Sequence, residues 1–288
     1  MKGTKKMKNK YAIFIITHGR VNRQLTYKYF SKRNCANDVY LIVDDKDEQL
    51  NEYKRKYKEK VIIFAKSDYK NKIDTLLNNP TLAHPVYARN AVYDIAKQLG
   101  YRYFFVVDDD IKKIVLRYIS NGKLKSYVVN NELNSLLNYL LNFMIVAKPH
   151  LLGIPNDGAF IGGINSRHFK AGCTREVTNF YLCDVNKRVF FISTLHDDIT
   201  TNLMLNNKGY FIISPTLIMQ KFDTNGNKKG GGMKKIYNKY GLYPMIFSAV
   251  VVAPNSIRVK PNKGNFEIRR KNRQYPLIIS SKYKKVKK

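Results

Sequence analysis

Four short apolar runs separated by helical patterns restrict this chain more than any other feature. Tyr11 to Thr17, Val39 to Val43, Val61 to Phe64 and Tyr103 to Val107 have the length and the β-branched and aromatic content of strands. Helical patterns over roughly Arg23 to Lys32, Lys46 to Lys58 and Val86 to Leu99 lie between them, and the last stops at Gly100, the usual place for a glycine. Strands that alternate with helices pair in parallel and need a helix layer on each face. The first half therefore predicts an α/β fold with a mostly parallel central sheet.

The second half changes character. Ile114 to Tyr118 and Lys125 to Val129 flank Asn121-Gly122, a strong hairpin signal, and predict a β-ribbon beside the aspartates that end the fourth run. A helix over Glu132 to Lys148 follows, then strands at Gly158 to Ile164, Arg188 to Ser193 and Tyr210 to Ile213, with a helix over Asp198 to Asn207 before the last. The sheet is thus expected to be mixed. Asn225 to Gly232, with three consecutive glycines, predicts a loop. With no repeat and no linker, the expected division is a basic tail over 1–10, one domain over 11–275 with halves at 11–112 and 113–275, and a basic tail over 276–288.

Charge narrows the partner. The 288 residues carry 52 Lys and Arg against 21 Asp and Glu, a formal net charge of +31, and such a field favours a polyanion. Lysines crowd both ends, yet the ends alone do not account for the excess. Cys35, Cys173 and Cys183 have no metal-ligand spacing and give an odd count, which argues against a disulfide framework and fits a reducing compartment. The N-terminal apolar run is too short for a leader. The apolar stretch Leu133 to Ala147 is striped by Asn134, Asn138 and Asn142 and reads as a docked amphipathic helix, so no membrane partner is expected.

Chemistry concentrates at strand ends. Val106-Val107-Asp108-Asp109-Asp110 places three carboxylates at the carboxyl end of a buried strand, where open α/β sheets bind ligands. Clustered carboxylates repel unless a cation joins them, and oxygen ligands suit Mg²⁺ or Mn²⁺. The competing reading is that they cap the following turn. Thr17-His18-Gly19-Arg20 ends the first strand before a helix and suits a nucleotide, although a strand-to-helix turn also wants a glycine for geometry alone. Asp44-Asp45 ends the second strand, where it either meets a ribose or caps the next helix. Arg89, on the first turns of a helix, opposes the helix dipole and implies a partner such as a phosphate or the aspartates, against a solvated surface role. His196-Asp197-Asp198 precedes a helix and offers a general base or an N-cap, with His196 a further metal ligand or a pH-sensitive neighbour, against the commoner case of a lone histidine that is neither.

In their order these parts, and the stretches ITHGR, ARNAVYDIAKQLGYRYFFVVDDDI and HDDITTN in particular, resemble the GT-A glycosyltransferases. They are most similar to the transferases that bacteriophages encode beside base-hydroxylating oxygenases and to the kinetoplastid enzymes that glucosylate hydroxymethyluracil in DNA. The resemblance covers residues 11 to 112 and 190 to 205. It implies a GT-A, Rossmann-like single domain that moves a sugar from a UDP-sugar, UDP-glucose first, to a 5-hydroxymethylated pyrimidine of DNA. It also implies a phage-encoded enzyme working in the bacterial cytoplasm.

Carried over by residue, the resemblance puts Asp108 and Asp110 on Mn²⁺ or Mg²⁺ and the diphosphate, with Asp109 between them toward the ribose. Thr17 and Arg20 hold the nucleotide with help from Asp44, Arg89 lies near the diphosphate, and Asp198, next to Asp197, serves as base. Histidine at 196 departs from the family pattern, so stereochemistry stays open. Two readings compete: a transferase acting on polysaccharide or protein, and a non-catalytic nucleic-acid-binding protein. A nucleotidyltransferase is weaker, since no P-loop lysine motif is present.

Overall fold

The computed structural model describes residues 11–33, 35, 38–73, 84–156, 162–170, 172–174, 176–223, 238–239, 241, 243–262 and 265–270. Its central sheet has eight strands. Four come from the first half: β1 (Tyr11–Ile16), β2 (Asp38–Asp44), β3 (Val61–Phe64) and β4 (Tyr103–Asp108). Helices α1 (Leu25–Ser31), α2 (Leu50–Tyr57) and α3 (Pro85–Leu99) connect them. Then follow the ribbon β5 (Ile111–Ser120) and β6 (Lys123–Val128), α4 (Leu133–Ala147), β7 (Leu151–Gly153), the short α5 (Arg167–Lys170), β8 (Cys173–Thr174) and β9 (Phe180–Asp184). The chain continues through α6 (Asp197–Asn207), β10 (Ile212–Pro215), β11 (Ile218–Phe222), α7 (Tyr243–Val252) and the hairpin β12 (Ile257–Asn262) and β13 (Asn265–Arg270).

Strand order across the main sheet is β3-β2-β1-β4-β9-β7-β10-β8. The first four strands run parallel, whereas β9 is antiparallel to both β4 and β7, so the sheet is mixed as expected. The chain winds from β1 outward to β3 and then returns to the other side of β1 as β4. That reversal is the topological switch point of the sheet, where open α/β sheets have their ligand crevice, here at the carboxyl ends of β1 and β4. Register places Ile16 opposite both Asp108 and Ile42, so Thr17 and the aspartates emerge at one edge.

Alternation along β1 explains the two helix layers. Ala12, Phe14 and Ile16 face a core completed by Val86, Tyr87, Ala91 and Val92 of α3. Tyr11, Ile13 and Ile15 face the opposite core, with Phe30 of α1, Tyr53 of α2 and Leu137, Leu140 and Leu141 of α4. A strand covered on both sides has no polar face, which is why β1 is apolar throughout. Helix α3 starts at Pro85 and ends where Gly100 takes φ 77°, in the left-handed region a C-cap glycine fills best. Helix α4 docks as the asparagine stripe indicates, with Asn138 and Asn142 exposed and its leucines buried. Among the described residues no helix is long and apolar enough to cross a membrane.

Several second-half expectations need correction. Arg188 to Ser193 is no strand: its Phe191 main chain bonds to the side chain of Asn90 on α3 in place of a neighbouring strand. The central place falls instead to β9, unanticipated because it is a short run that ends in Asp184. Gly162 to Ile164 forms a turn and a 3-10 helix; the rest of the expected 158–164 strand, 158–161, lies outside the described residues. Strand β10 begins at Ile212, and β11 completes a three-stranded sheet β11-β5-β6. The glycine loop over 225–232 and both tails, save what of 11–275 is described up to residue 270, also lie outside the described residues.

Close packing at β7 gives a first expected result. A Cβ on Gly153 would lie 2.2 Å from Val177 Cγ1 and 2.7 Å from the Phe180 carbonyl oxygen. Neither can retreat freely, because Val177 and Phe180 are buried. Gly153→Ala is expected to cost about 1–3 kcal/mol by overpacking, read as a lower urea midpoint with the slope unchanged.

Candidate active site

The carboxyl edge of β4 turns sharply through Asp108, Asp109 and Asp110 into β5. Thr26 of α1 fixes that turn: its hydroxyl donates to the Asp108 carbonyl at 2.5 Å and accepts from Ile111 N at 2.9 Å. Its own N–H donates to the Asp109 carbonyl at 3.1 Å. Consecutive side chains leave such a turn in different directions. Asp109 points inward and is buried, accepting from Thr17 Oγ1 at 2.6 Å and Arg20 at 2.6 Å. Asp108 and Asp110 keep side-chain exposures of 24% and 20% and face the crevice edge. The structure thus brings Asp108 and Asp110 to the edge and gives Asp109 to the loop after β1.

That loop is held as one unit. Tyr53 of α2 lies with its hydroxyl 3.0 Å from Thr17 Oγ1 and accepts the Arg20 N–H at 2.9 Å, while Gln24 Nε2 donates to Thr17 Oγ1 at 2.7 Å. Arg20 NH1 also lies 3.7 Å from Asp110. Gln24, Thr26 and Tyr53 carry no pattern by which the sequence could mark them, since each is an ordinary residue in or next to a helix until the fold assembles.

At the end of β2 the geometry differs. His18 Nδ1 lies 2.6 Å from Asp44 Oδ2 and 3.4 Å from Asp47, whose carboxylate accepts the Gly19 N–H at 2.8 Å. Lys66, buried after β3, places Nζ 2.9 Å from Asp44 Oδ1. Among the described residues, the three ligating side chains that lie within 4.8 Å of one another are those of His18, Asp44 and Asp47, and not the three aspartates of the β4 turn. Asp47 and Lys66 were unforeseen, hidden in charged runs that read as solvated.

Charge balance separates these clusters. Burial works to raise the Asp44 carboxyl, but hydrogen bonds from His18 and Lys66 outweigh it and hold the group at about 2. Its charge is already compensated. Burial pushes Asp108 up to about 7, and repulsion from Asp110 and Asp109 adds to this against the attraction of Arg89. Burial and the charge of Asp109 likewise push Asp110 up to about 6 against Arg20. Negative charge is thus under-compensated at Asp108 and Asp110, which is where a divalent cation gains most. Oxygen-only donors facing solvent on one side fit Mg²⁺ or Mn²⁺.

Arg89 joins two signals that the sequence presents separately. It is 3% exposed, so the solvated role is excluded; one guanidinium nitrogen meets Asp197 in a short ion pair and the other lies 3.2 Å from Asp108. Tyr181 and Phe191 flank it, with ring centroids 5.1 and 5.9 Å from Cζ. The N-terminus of α6 is thereby held against the β4 turn. His196 takes φ 48° at the N-cap, and Asp198 on the first turn accepts the Ile199 N–H at 2.8 Å. Asp197 is committed to Arg89.

Asn90, beside it, is fully buried and clamps the 188–193 segment. Its Nδ2 donates to the Val86 and Phe191 carbonyls at 3.0 and 2.7 Å, and its Oδ1 accepts the Phe191 N–H at 3.0 Å. Asn90→Ala strands two buried backbone groups of Phe191 and is expected to cost about 2–4 kcal/mol, measured by chemical denaturation.

A model of the family described as TET-Associated Glycosyltransferase matches residues 11–231. No curated protein matches the chain. Among solved structures, a mannosyltransferase from Pyrobaculum calidifontis, in complex with GDP-Man and Mn²⁺, superposes with a TM-score of 0.50 at 11% identity, over 85% of this chain and 65% of that one. Glucosyl-3-phosphoglycerate synthase from Mycobacterium tuberculosis, in complex with Mg²⁺ and UDP, gives 0.46 at 6% identity over 90% and 86%. This chain therefore spans about two thirds of the mannosyltransferase's length, and at such identities the likeness is one of fold.

Proposed function

Because this chain belongs to the TET-Associated Glycosyltransferase family, we propose that it moves a sugar from a nucleoside-diphosphate sugar to the hydroxyl of a 5-hydroxymethylated pyrimidine in DNA, with Mg²⁺ or Mn²⁺ at Asp108 and Asp110. Family membership makes the protein a glycosyltransferase and removes the non-catalytic reading. The observation that carries the metal assignment is the pair of largely buried carboxyls, 24% and 20% exposed and raised to about 7 and 6, at the sheet's switch point. A mannosyltransferase of similar fold is bound to GDP-Man and Mn²⁺, which supports the same class of donor. For the acceptor, support comes from the family's description as TET-associated and from the net charge of +31. A phage-encoded enzyme in a bacterial host fits this substrate, and UDP-glucose is the first donor to try.

In this reading the donor's base and ribose lie along Thr17, Arg20 and Asp44, and its diphosphate along Asp108 and Asp110. A cation bound there offsets the charge on the departing diphosphate. Asp109 is a positioning residue that holds Arg20 and Thr17, and Arg89 likewise positions Asp108 and the start of α6. With Asp197 engaged by Arg89, Asp198 takes the proton from the acceptor hydroxyl as it attacks the anomeric carbon. A base inside a duplex has to leave the stack to reach it. The domain runs over 11–275, with the nucleotide-sugar half at 11–112, the acceptor half at 113–275, and basic tails outside it.

The test is incubation with hydroxymethylated DNA, Mn²⁺ and a panel of nucleotide sugars, followed by digestion and mass spectrometry. A hexose mass on the modified nucleoside is expected; sugar found only on polysaccharide or protein acceptors would overturn the DNA reading.

Protons compete with the cation, which gives a pH dependence. Folded Asp108 and Asp110 titrate at about 7 and 6 against about 3.9 unfolded, so the folded chain binds more protons between those values. These two groups should therefore cost metal-free protein stability as pH rises from 4 to 7, offset in part by His84, whose imidazole burial holds down at about 4. Mn²⁺ affinity should rise over the same span, by up to about tenfold per pH unit for each proton displaced. Calorimetric titration with Mn²⁺ at pH 5.5 and 8 checks both sign and size.

A further inference from the structure

The β5–β6 ribbon changes character along its length. At its base Ile111, Ile114 and Val115 are buried, whereas toward its tip Tyr118, Ile119 and Tyr127 are 49%, 58% and 45% exposed. Cross-strand register pairs Leu116 with Tyr127, Tyr118 with Lys125 and Ser120 with Lys123. Paired residues share a face and alternate residues along each strand share it too, so Tyr118, Tyr127, Lys123 and Lys125 form one surface. Both lysines are exposed. The Tyr127 hydroxyl donates to Glu132 Oε1 at 2.9 Å, which fixes the outer edge of that ring. Half-exposed aromatic rings set among lysines suit a partner that is both anionic and rich in flat apolar surface.

We propose that the outer half of this ribbon docks duplex DNA, with Lys123 and Lys125 at phosphates and Tyr118 and Tyr127 against the groove wall. The inference rests on the DNA-acceptor reading above. It adds which surface holds the duplex. Because β5 begins directly after Asp110, Tyr118 stands about 26 Å along the strand from the aspartate turn at ~3.3 Å per residue. That is less than one turn of B-DNA, about 34 Å. One duplex therefore reaches both the ribbon and the crevice, and a two-stranded ribbon has the width a major groove admits.

The experiment measures affinity for a hydroxymethylated duplex by fluorescence anisotropy across salt concentrations, with donor hydrolysis in the absence of DNA as the check on folding. Lys123→Gln with Lys125→Gln should lower the slope of log affinity against log salt by roughly 2, at about 0.9 for each phosphate no longer neutralised. Tyr118→Ser with Tyr127→Ser should weaken binding by about tenfold or more at fixed salt and leave the slope unchanged. Lys97→Gln with Lys208→Gln, exposed at the C-terminal ends of α3 and α6, should do neither. The two ribbon variants are judged separately, so misfolding of one leaves the other decisive.

Parent-like DNA binding by both ribbon variants, or equal losses in the Lys97/Lys208 control, would overturn the ribbon assignment alone. A parent protein that hydrolyses donor but does not bind DNA would overturn the acceptor reading with it. A dimer seen by light scattering and broken by the tyrosine variant would assign the surface to a second copy of this chain and overturn the proposal.

Discussion

Asp110→Asn will lower sugar transfer by about a thousandfold, equivalent to roughly 4 kcal/mol of transition-state stabilisation, while DNA binding persists. The size follows from what the position is asked to do: a neutral amide neither repels Asp108 nor supplies the charge that holds a divalent cation against a diphosphate. Stability should move the other way. Ionised Asp110 is disfavoured in the fold, since its carboxyl is raised to about 6, so its removal should stabilise metal-free protein at pH 8 by at most about 3 kcal/mol. Loss of activity joined to a gain in melting temperature distinguishes a ligand from a merely structural aspartate, whose replacement would cost both. Single-turnover transfer assays and metal-free denaturation, run side by side, supply the two numbers.

Arg89→Met carries the second largest expected effect, and on stability. The guanidinium is 3% exposed and bridges Asp197 of α6 to Asp108 of the β4 turn. Methionine of similar length fills the space between Tyr181 and Phe191 but leaves two largely enclosed carboxylates with no cation. Breaking a buried pair on one side costs about 3–5 kcal/mol. The loss should be larger at pH 8 than at pH 5. Without Arg89 both carboxyls rise further, so the folded variant holds protons the unfolded chain has released, and stability falls as pH climbs. Urea midpoints at the two pH values measure it. Arg89→Lys should recover only part, since a single ammonium does not reproduce the forked reach.

What the sequence made legible was local. Strands β1 to β4 were readable because each is a continuous apolar run buried on both faces, and α3 because Gly100 closes it. The aspartates stood out because a carboxylate run after Phe104-Phe105-Val106-Val107 has no place in a buried strand. Non-local features were not legible. Nothing near Arg89 tells that its partner is Asp197, 108 positions on, and only the meeting of α3 with α6 supplies it. Arg188 to Ser193 has the composition of a strand, but its hydrogen bonds go to Asn90, while the shorter Phe180–Asp184 takes the central place. That Asp109 turns inward while its neighbours turn outward depends on how Thr26 grips the turn, which no run of residues encodes.

Two clusters compete for a cation at this edge, and a single diffraction experiment separates them. Crystals soaked in Mn²⁺ and UDP, measured at the manganese absorption edge, should show one strong anomalous peak in direct contact with the carboxylates of Asp108 and Asp110. A peak at His18, Asp44 and Asp47 instead, or none with UDP bound, would contradict the account.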